Sequence, residues 1–228
     1  QRDIKSLLCV GLDPDLNRIP AEFSSHNTPI FAFNQMIIDA TKDYACCYKP
    51  QFAHFAAAGA EAELATTIDY IQALGIPVIL DAKRGDVGST ADFYASEAFD
   101  RYNADAVTVN PYMSSDSLKP FLERADKGII LLCRTSNPGG ADLQNLPLAS
   151  GEQLFERVAH LAANQWNSRG NVGLVVGATR PEELARVREI TGEMTLLLPG
   201  IGAQGGDIKA SLEAGQGGGL IVSASRSI

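Results

Sequence analysis

The sequence predicts an α/β protein: a (β/α)8 barrel, or TIM barrel, of eight parallel strands in a single domain spanning residues 1–228. Eight short apolar runs alternate with longer segments of helical pattern, the order expected of strands joined by helical crossovers. No Pro/Gly/Ser-rich linker and no shift of composition divides the 228 residues. A doubly wound open sheet is the alternative that the same alternation allows.

The predicted strands are apolar on both faces, as buried parallel strands are. They are Leu7–Asp13, Ala45–Gln51, Pro77–Lys83, Ala106–Asn110, Gly128–Thr135, Val172–Thr179, Thr195–Ile201 and Leu220–Ser225. The chain ends directly after the eighth strand and is shorter than the about 250 residues usual for this barrel. We therefore expect it to lack the terminal helix after strand eight.

Capping signals mark the helices between the strands. Thr28 and Pro29 predict the start of a helix over Ile30–Tyr44, and a second helical segment covers Ala57–Leu74. The remaining predicted helices are Ala91–Tyr102 capped by Thr90, Ser114–Asp126, Leu154–Asn167 after a capping box of Ser150 and Gln153, a helix opened by the box of Thr179 and Glu182, and one from Asp207 to Ala214.

Composition argues against several classes of function. Acidic residues outnumber basic ones by 27 to 19, giving a net charge of −8, which argues against a nucleic-acid-binding protein. No apolar run reaches the roughly 18 to 20 residues of a membrane span. The cysteines Cys9, Cys46, Cys47 and Cys133 lie in apolar runs without zinc-site spacing, which predicts buried thiols in a cytoplasmic protein.

Known catalytic and metal motifs are missing from the sequence. It contains no G-x-S-x-G, no Walker A loop and no H-E-x-x-H, and its three histidines fall away from the predicted strand ends. A transition-metal site is therefore not expected. The acids at the strand ends are Asp and Lys, which favours cofactor-free proton transfer.

Polar side chains collect at the carboxyl ends of the predicted strands, where barrel enzymes place their active sites. They are Asp13, Lys49, Asp81, Lys83, Arg134, Thr135, Ser136, Ser225 and Arg226. Charges confined to a solvated rim would scatter over both ends of the barrel. The pattern therefore favours a shared catalytic mouth.

The densest cluster is the run from Asp81 to Asp86. Asp81 and Lys83 are two residues apart on a strand, so both project into the mouth, and Asp86 can return to them from the following loop. Carboxylates beside a lysine favour its protonated form, which makes Lys83 a candidate proton donor. An ordinary ion pair closing a strand end is the structural alternative.

A second cluster follows the seventh strand. The glycine-rich run 199–207 opens a helix near Asp207, so its backbone N–H groups predict a phosphate site, and the Arg226 guanidinium matches a phosphate. Gly200, Gly202 and Gly205 also fit the dinucleotide fingerprint G-x-G-x-x-G. That match is weak, because it does not lie in a first βα unit.

These residues resemble the orotidine 5'-phosphate decarboxylase family, in its longer bacterial branch. The family motif D-x-K-x-x-D, followed by an aliphatic residue and then a Thr, is matched by Asp81, Lys83, Asp86, Val87 and Thr90. The resemblance covers almost the whole chain. It continues through the runs Gly11–Pro14, Tyr48–Pro50, Thr135–Gly139, Val175–Thr179, Pro199–Asp207 and Ser225–Ile228.

The resemblance implies a role for each matching residue. Lys83 would protonate C6 of the pyrimidine after carbon dioxide leaves. Lys49, Asp81, Lys83 and Asp86 would form an alternating charged array, with Asp86 and Thr90 reaching the neighbouring site of a homodimer. Asp13 and Lys49 would bind ribose hydroxyls, Ser136 the pyrimidine, and Gln204 and Arg226 the 5'-phosphate. The implied substrate is a small nucleotide, with no cofactor and no metal.

Two features depart from the family, and other functions stay open. Ser225 stands where the family often has Gly, and the run Gly215–Gly219 looks compressed, so residues are expected to be missing there. A phosphosugar decarboxylase or epimerase on the same barrel would need a metal site. A Schiff-base aldolase would need a neutral lysine, which the flanking carboxylates oppose. A non-catalytic nucleotide-binding barrel is the remaining alternative.

Overall fold

Eight parallel strands form one ring in the structure, a computed structural model that describes residues 5–200 and 207–228. The strands are β1 (Leu8–Leu12), β2 (Cys47–Pro50), β3 (Ile79–Arg84), β4 (Ala106–Val109), β5 (Gly128–Arg134), β6 (Val172–Val176), β7 (Thr195–Leu198) and β8 (Leu220–Ala224). Their order is β2-β1-β8-β7-β6-β5-β4-β3. The predicted (β/α)8 barrel is confirmed, whereas the single domain over 1–228 stays a prediction.

The ring closes between β2 and β3. At this junction the pairing consists of isolated parallel bridges, Tyr48 with Val78 and Gln51 with Asp81, instead of a continuous ladder. The neighbouring pair β1 and β2 is joined over four consecutive positions, from Cys9 with Cys47 to Leu12 with Pro50. The junction of β2 and β3 is therefore the more sparsely bonded of the two.

Helices lie between the strands. They are α1 (Pro29–Thr41), α2 (Phe52–Ala57), α3 (Glu61–Ala73), α4 (Gly88–Ser96), α5 (Ser114–Leu122), α6 (Ala141–Gln144), α7 (Leu154–Leu161), α8 (Pro181–Thr191) and α9 (Ile208–Ala214). Within the described residues, no helix is both long and apolar enough to cross a bilayer.

Several helix boundaries differ from the prediction. The single helix predicted over Ala57–Leu74 is two helices, α2 and α3, because the chain turns at Gly59 with a left-handed φ of 64°. Helix α4 begins at Gly88, so Thr90 lies inside its first turn instead of capping it. Gly88 also has a left-handed φ, of 55°, which turns the chain into the helix ahead of Thr90.

The predicted capping residues have mixed outcomes. Asp207 caps α9 as predicted, its carboxylate accepting a hydrogen bond of 3.1 Å from the Ala210 N–H. The box before α7 is formed one turn later than predicted, since the Gln153 N–H donates to Glu156. Helix α8 starts at Pro181 with Arg180 as its N-cap, so the box predicted at Thr179 is wrong. Proline suits the first helical position, where its missing N–H costs no bond.

The hydrophobic core has two layers. The larger cluster lies between the strands and the helices and includes Cys133. A smaller cluster is formed by Cys9, Cys46, Cys47, Ile79, Ile130, Val175 and Leu197. All four cysteines are buried, so the prediction of buried thiols is confirmed.

The glycine-rich run 215–219 is organised by a buried arginine. Arg188 of α8 donates hydrogen bonds to the carbonyl oxygens of Gly192, Met194, Gly215 and Gly219 at 2.5–2.9 Å. A Cβ at Gly218 would lie 2.3 Å from the Arg188 guanidinium nitrogen. Glycine at this position therefore lets the backbone approach the guanidinium closely.

Candidate active site

Three charged side chains meet at the carboxyl ends of β2 and β3. Asp81 accepts a hydrogen bond of 2.7 Å from Lys49 Nζ on one carboxylate oxygen and one of 2.6 Å from Lys83 Nζ on the other. The side chains of Lys49 and Asp81 are 9% and 8% exposed, whereas that of Lys83 is 45% exposed. Lys83 is therefore the member of the cluster that a ligand in the mouth can reach.

The two lysines set the ionisation of Asp81. Burial alone raises the pKa of this carboxyl, but the positive charges and hydrogen bonds of Lys49 and Lys83 outweigh burial and lower the pKa to about 2. Burial likewise opposes the charge of Lys49, and the carboxylates of Asp81 and Asp13 more than compensate, so the pKa of Lys49 is raised. Asp81 and Lys49 are accordingly both charged at neutral pH.

Lys83 sits at an irregularity in the sheet. Between two positions paired with β4, Leu80 with Val107 and Arg84 with Val109, β3 advances four residues while β4 advances two. The extra residues form a bulge, and Lys83 there has a left-handed φ of 48°. A bulge of this kind re-aims a side chain, which here lets both Asp81 and Lys83 reach the mouth.

Arg84 anchors the end of the same strand. Its guanidinium lies 4.2 Å from the centroid of the Phe52 ring and 4.7 Å from that of Tyr94, and it forms an ion pair of 2.8 Å with Glu97. Cation–π contacts and a partly buried ion pair hold the residue next to Lys83 between α2 and α4.

Asp86 and Thr90 do not join this cluster within the chain. The Asp86 carboxylate accepts a hydrogen bond of 2.8 Å from the Val87 N–H, and among the described residues it forms no ion pair with Lys49 or Lys83. Thr90 is exposed on the first turn of α4. The expected return of Asp86 to Asp81 and Lys83 is therefore not seen within one chain.

The ends of β1 and β8 bring a second group of predicted residues together. Asp13 and Arg226 line a cavity of about 480 Å³, and Ser225, directly after β8, donates a hydrogen bond of 2.6 Å from its hydroxyl to Asp13. Arg226 is exposed and forms no ion pair among the residues described. The guanidinium is thus available to an anion.

The end of β5 carries Ser136. This residue lines a cavity of about 710 Å³ with Arg134, Asn137, Pro138, Thr179, Arg180 and Glu182. A Cβ at Gly177, after β6, would lie 2.8 Å from the Ser136 Cα, so glycine is needed there for the two backbones to approach. Arg134 is buried and forms an ion pair of 2.8 Å with Glu183, which fixes this side of the cavity.

Gln204, which the resemblance implies as a phosphate ligand, lies outside the described residues, as do all of residues 201–206. Within the described parts of the chain, no three His, Cys, Asp or Glu side chains are grouped so as to hold a metal ion. Thr108 of β4, which the sequence does not mark as a site residue, contacts both Asp81 and Lys83. A threonine within an apolar strand gives no signal of such contacts.

Comparisons with known proteins agree on one family. A family model described as "Orotidine 5'-phosphate decarboxylase / HUMPS family" matches residues 6–228. The orotidine 5'-phosphate decarboxylase of Azoarcus sp. (strain BH72) is 61% identical, over 100% of this chain and 85% of that protein.

Solved structures show the same fold. The structure of Leishmania donovani UMP synthase is 48% identical, with a TM-score of 0.90. The match covers 99% of this chain and 49% of that longer protein. The structure of Leishmania donovani OMP decarboxylase is 46% identical with a TM-score of 0.87, over 99% of this chain and 86% of that one.

The match of the family model and the identity to the Azoarcus protein both run through the residues that form the mouth of this barrel. The prediction of an enzyme, a carboxy-lyase, is confirmed by these relatives. The chain belongs to the orotidine 5'-phosphate decarboxylase / HUMPS family.

Proposed function

We propose that this chain converts orotidine 5'-monophosphate to uridine 5'-monophosphate without a cofactor, a step of pyrimidine biosynthesis, and that Lys83 protonates C6. The observation that carries the proposal is the bridge of Asp81 between Lys49 and Lys83, at 2.7 and 2.6 Å. It supplies fixed charges at the mouth, with the more exposed ammonium pointing outward. Preorganised charge of this kind stabilises charge that develops in a transition state.

The proposed reaction breaks one bond and transfers one proton. The bond from C6 to the carboxylate carbon breaks, carbon dioxide leaves, and the electron pair stays on C6. The Lys83 ammonium stabilises that carbanion and then transfers a proton to it. Lys83 is left neutral and regains a proton from solvent, for which its 45% exposed side chain gives access.

Substrate binding is proposed to extend from this centre to both sides of the mouth. Asp13 and Lys49 would bind the ribose hydroxyls, and Arg226 with Gln204 the 5'-phosphate. Support comes from the cavity that Asp13 and Arg226 both line, and from the exposed Arg226 guanidinium, which forms no ion pair with any residue that the structure describes. Ser136 would bind the pyrimidine from the β5 side. Binding energy from the phosphate can orient the ring for reaction.

We further propose a homodimer in which Asp86 and Thr90 act in the partner's site. Exposed apolar side chains lie next to them: Val87 and Phe93 are 50% and 74% exposed, and Tyr112 and Met113, after β4, are 76% and 39% exposed. An exposed apolar group of this kind is typical of an interface between subunits. The cytoplasmic location stays a prediction.

The activity is tested by following the loss of orotidine 5'-monophosphate absorbance in the presence of a chelator. Turnover that persists supports a cofactor-free decarboxylase, and absence of turnover, or its loss on adding chelator, refutes it. Lys83→Ala is expected to abolish turnover while binding of uridine 5'-monophosphate stays measurable. Lys5→Ala is the matched control, since Lys5 shares the left-handed backbone with a φ of 52°.

The shared site is tested by mixing two inactive variants, Lys83→Ala and Asp86→Asn. If Asp86 serves the partner's site, each mixed dimer holds one intact site, and full subunit exchange restores about a quarter of native activity. If Asp86 serves its own chain, the mixture stays inactive and the shared site is refuted.

A further inference from the structure

We propose that Thr108 is a positioning residue for this reaction, which holds the Asp81 carboxylate and the Lys83 backbone in their reactive arrangement. The inference rests on the proposed function, because it assigns to Lys83 the proton transfer described above. Thr108 itself is 1% exposed, on β4 beneath the charged cluster.

The hydroxyl of Thr108 completes a closed set of hydrogen bonds. It accepts from the Lys83 N–H at 3.0 Å and donates to Asp81 Oδ1 at 2.9 Å. The same Asp81 oxygen accepts from Lys83 Nζ at 2.6 Å. The backbone and the side-chain ammonium of Lys83 are thus both tied to one carboxylate oxygen, the backbone through Thr108 and the ammonium directly.

The bulge in β3 explains why a side chain is needed here. Lys83 lies between the two paired positions Leu80 and Arg84, where the register of β3 against β4 shifts. Its N–H donates to the Thr108 hydroxyl instead of to a ladder carbonyl. The left-handed φ of 48° is uncommon for a residue with a Cβ and persists only where surrounding contacts determine it. The hydroxyl of Thr108 is one such contact.

Removing the hydroxyl is expected to affect the reaction more than substrate binding. Asp81 Oδ1 would lose the donor of a buried hydrogen bond, and the Lys83 N–H would lose the acceptor of a partly buried one. The lysine could then relax toward an ordinary backbone conformation and move its ammonium. A misplacement of about 1 Å can lower a rate by about a hundredfold.

The test compares Thr108→Val, Thr108→Ala and Thr108→Ser, with kcat and KM for orotidine 5'-monophosphate and calorimetric binding of uridine 5'-monophosphate. We expect kcat to fall about tenfold to a hundredfold in the Val and Ala variants while product binding stays within about twofold. Thr108→Ser keeps a hydroxyl and is expected to retain kcat within about threefold.

Thr67→Val is the matched control. Thr67 is also fully buried, and its hydroxyl donates a hydrogen bond of 2.7 Å to the Glu63 carbonyl oxygen inside α3, away from the mouth. We expect this variant to lose stability but keep its kcat.

Four results would overturn the positioning role: near-native kcat in the folded Val and Ala variants, an equal fall in the Ser variant, an equal fall in Thr67→Val, or failure of both hydroxyl-free variants to fold. The last would show that the hydroxyl serves the fold and not the reaction. If the native protein binds uridine 5'-monophosphate but does not turn over orotidine 5'-monophosphate, the proposed function fails, and the role of Thr108 with it.

Discussion

Ser225 and Asp13 join the carboxyl ends of β8 and β1: the Ser225 hydroxyl donates to the Asp13 carboxylate at 2.6 Å across 212 positions of sequence. Gly11 provides the room, because a Cβ there would lie 2.9 Å from the Ser225 Cβ. The serine that departs from the family pattern therefore has a partner, the carboxylate proposed to bind ribose. It connects the ribose side of the mouth to the strand that leads to Arg226.

Ser225→Ala is expected to weaken nucleotide binding. Without its donor, Asp13 can turn away from the ribose, so KM is expected to rise several-fold while kcat changes little. One such hydrogen bond contributes about 1 kcal/mol, which corresponds to a change of this size in KM. Steady-state kinetics measure both constants. Ser227→Ala, two residues later on the exposed end, is the control. An unchanged KM for Ser225→Ala would show that the hydrogen bond does not orient Asp13 for binding.

Gly11→Ala is expected to lower stability by about 1–3 kcal/mol, because the new Cβ overlaps Ser225 in a place where the strands are fixed. The added methyl would also lie 3.4 Å from the Ala224 carbonyl oxygen, an ordinary contact. The double variant Gly11→Ala/Ser225→Gly removes the overlap and is expected to recover most of the loss. Urea unfolding gives both free energies, and equal losses in the single and double variants would contradict the assignment.

Arg188→Met is expected to destabilise the protein strongly. It leaves the carbonyl oxygens of Gly192, Met194, Gly215 and Gly219 without their donor, which should cost about 2–4 kcal/mol. The control is Arg186→Met on the same helix, whose side chain is 48% exposed and pairs with Glu156 and Glu189. Exposed ion pairs contribute about 0–1 kcal/mol, so similar losses in both variants would argue against a structural role for Arg188.

Stability is expected to depend on the charge of Asp81 in acid. Its pKa is about 2 in the folded chain against an ordinary value of 3.8, so its charge stabilises the fold above about pH 4, and this contribution is lost as the pH falls toward 2. Between about pH 6 and about pH 3, the native protein should lose about 1 kcal/mol more than Asp81→Asn. Urea unfolding at the two pH values measures the difference. Parallel losses in both proteins would show that the carboxylate is not held ionised.

The sequence was sufficient to predict the barrel and that Lys49, Asp81 and Lys83 lie at the same end of it. The order of parallel strands, which the sequence predicts, brings Lys49, Asp81 and Lys83 to the same end of the barrel. Strand alternation does not predict the bulge and the left-handed φ at Lys83, which accompany its bond to Asp81. The boundary of α4 was harder to predict, since the left-handed turn at Gly88 starts the helix before the capping residue Thr90.

Contacts that depend on register could not be predicted. Thr108 reads as an ordinary strand residue, and its role appears only because β3 carries extra residues against β4. The bond from Ser225 to Asp13 likewise requires knowing that β8 pairs with β1, since nothing local connects the two residues. Non-local pairing is the information that a single sequence gives least directly.

The ion pair of Lys49 and Asp81 crosses the junction of β2 and β3, where isolated bridges replace a continuous ladder. The two side chains therefore link β2 to β3 where the barrel has the fewest backbone hydrogen bonds, and they also set the charge at the mouth. An exchange of either residue alters both properties together, so natural or laboratory variation cannot change the chemistry here while leaving the architecture untouched. A redesign of this barrel for another reaction would first have to introduce a different stabilising interaction between β2 and β3.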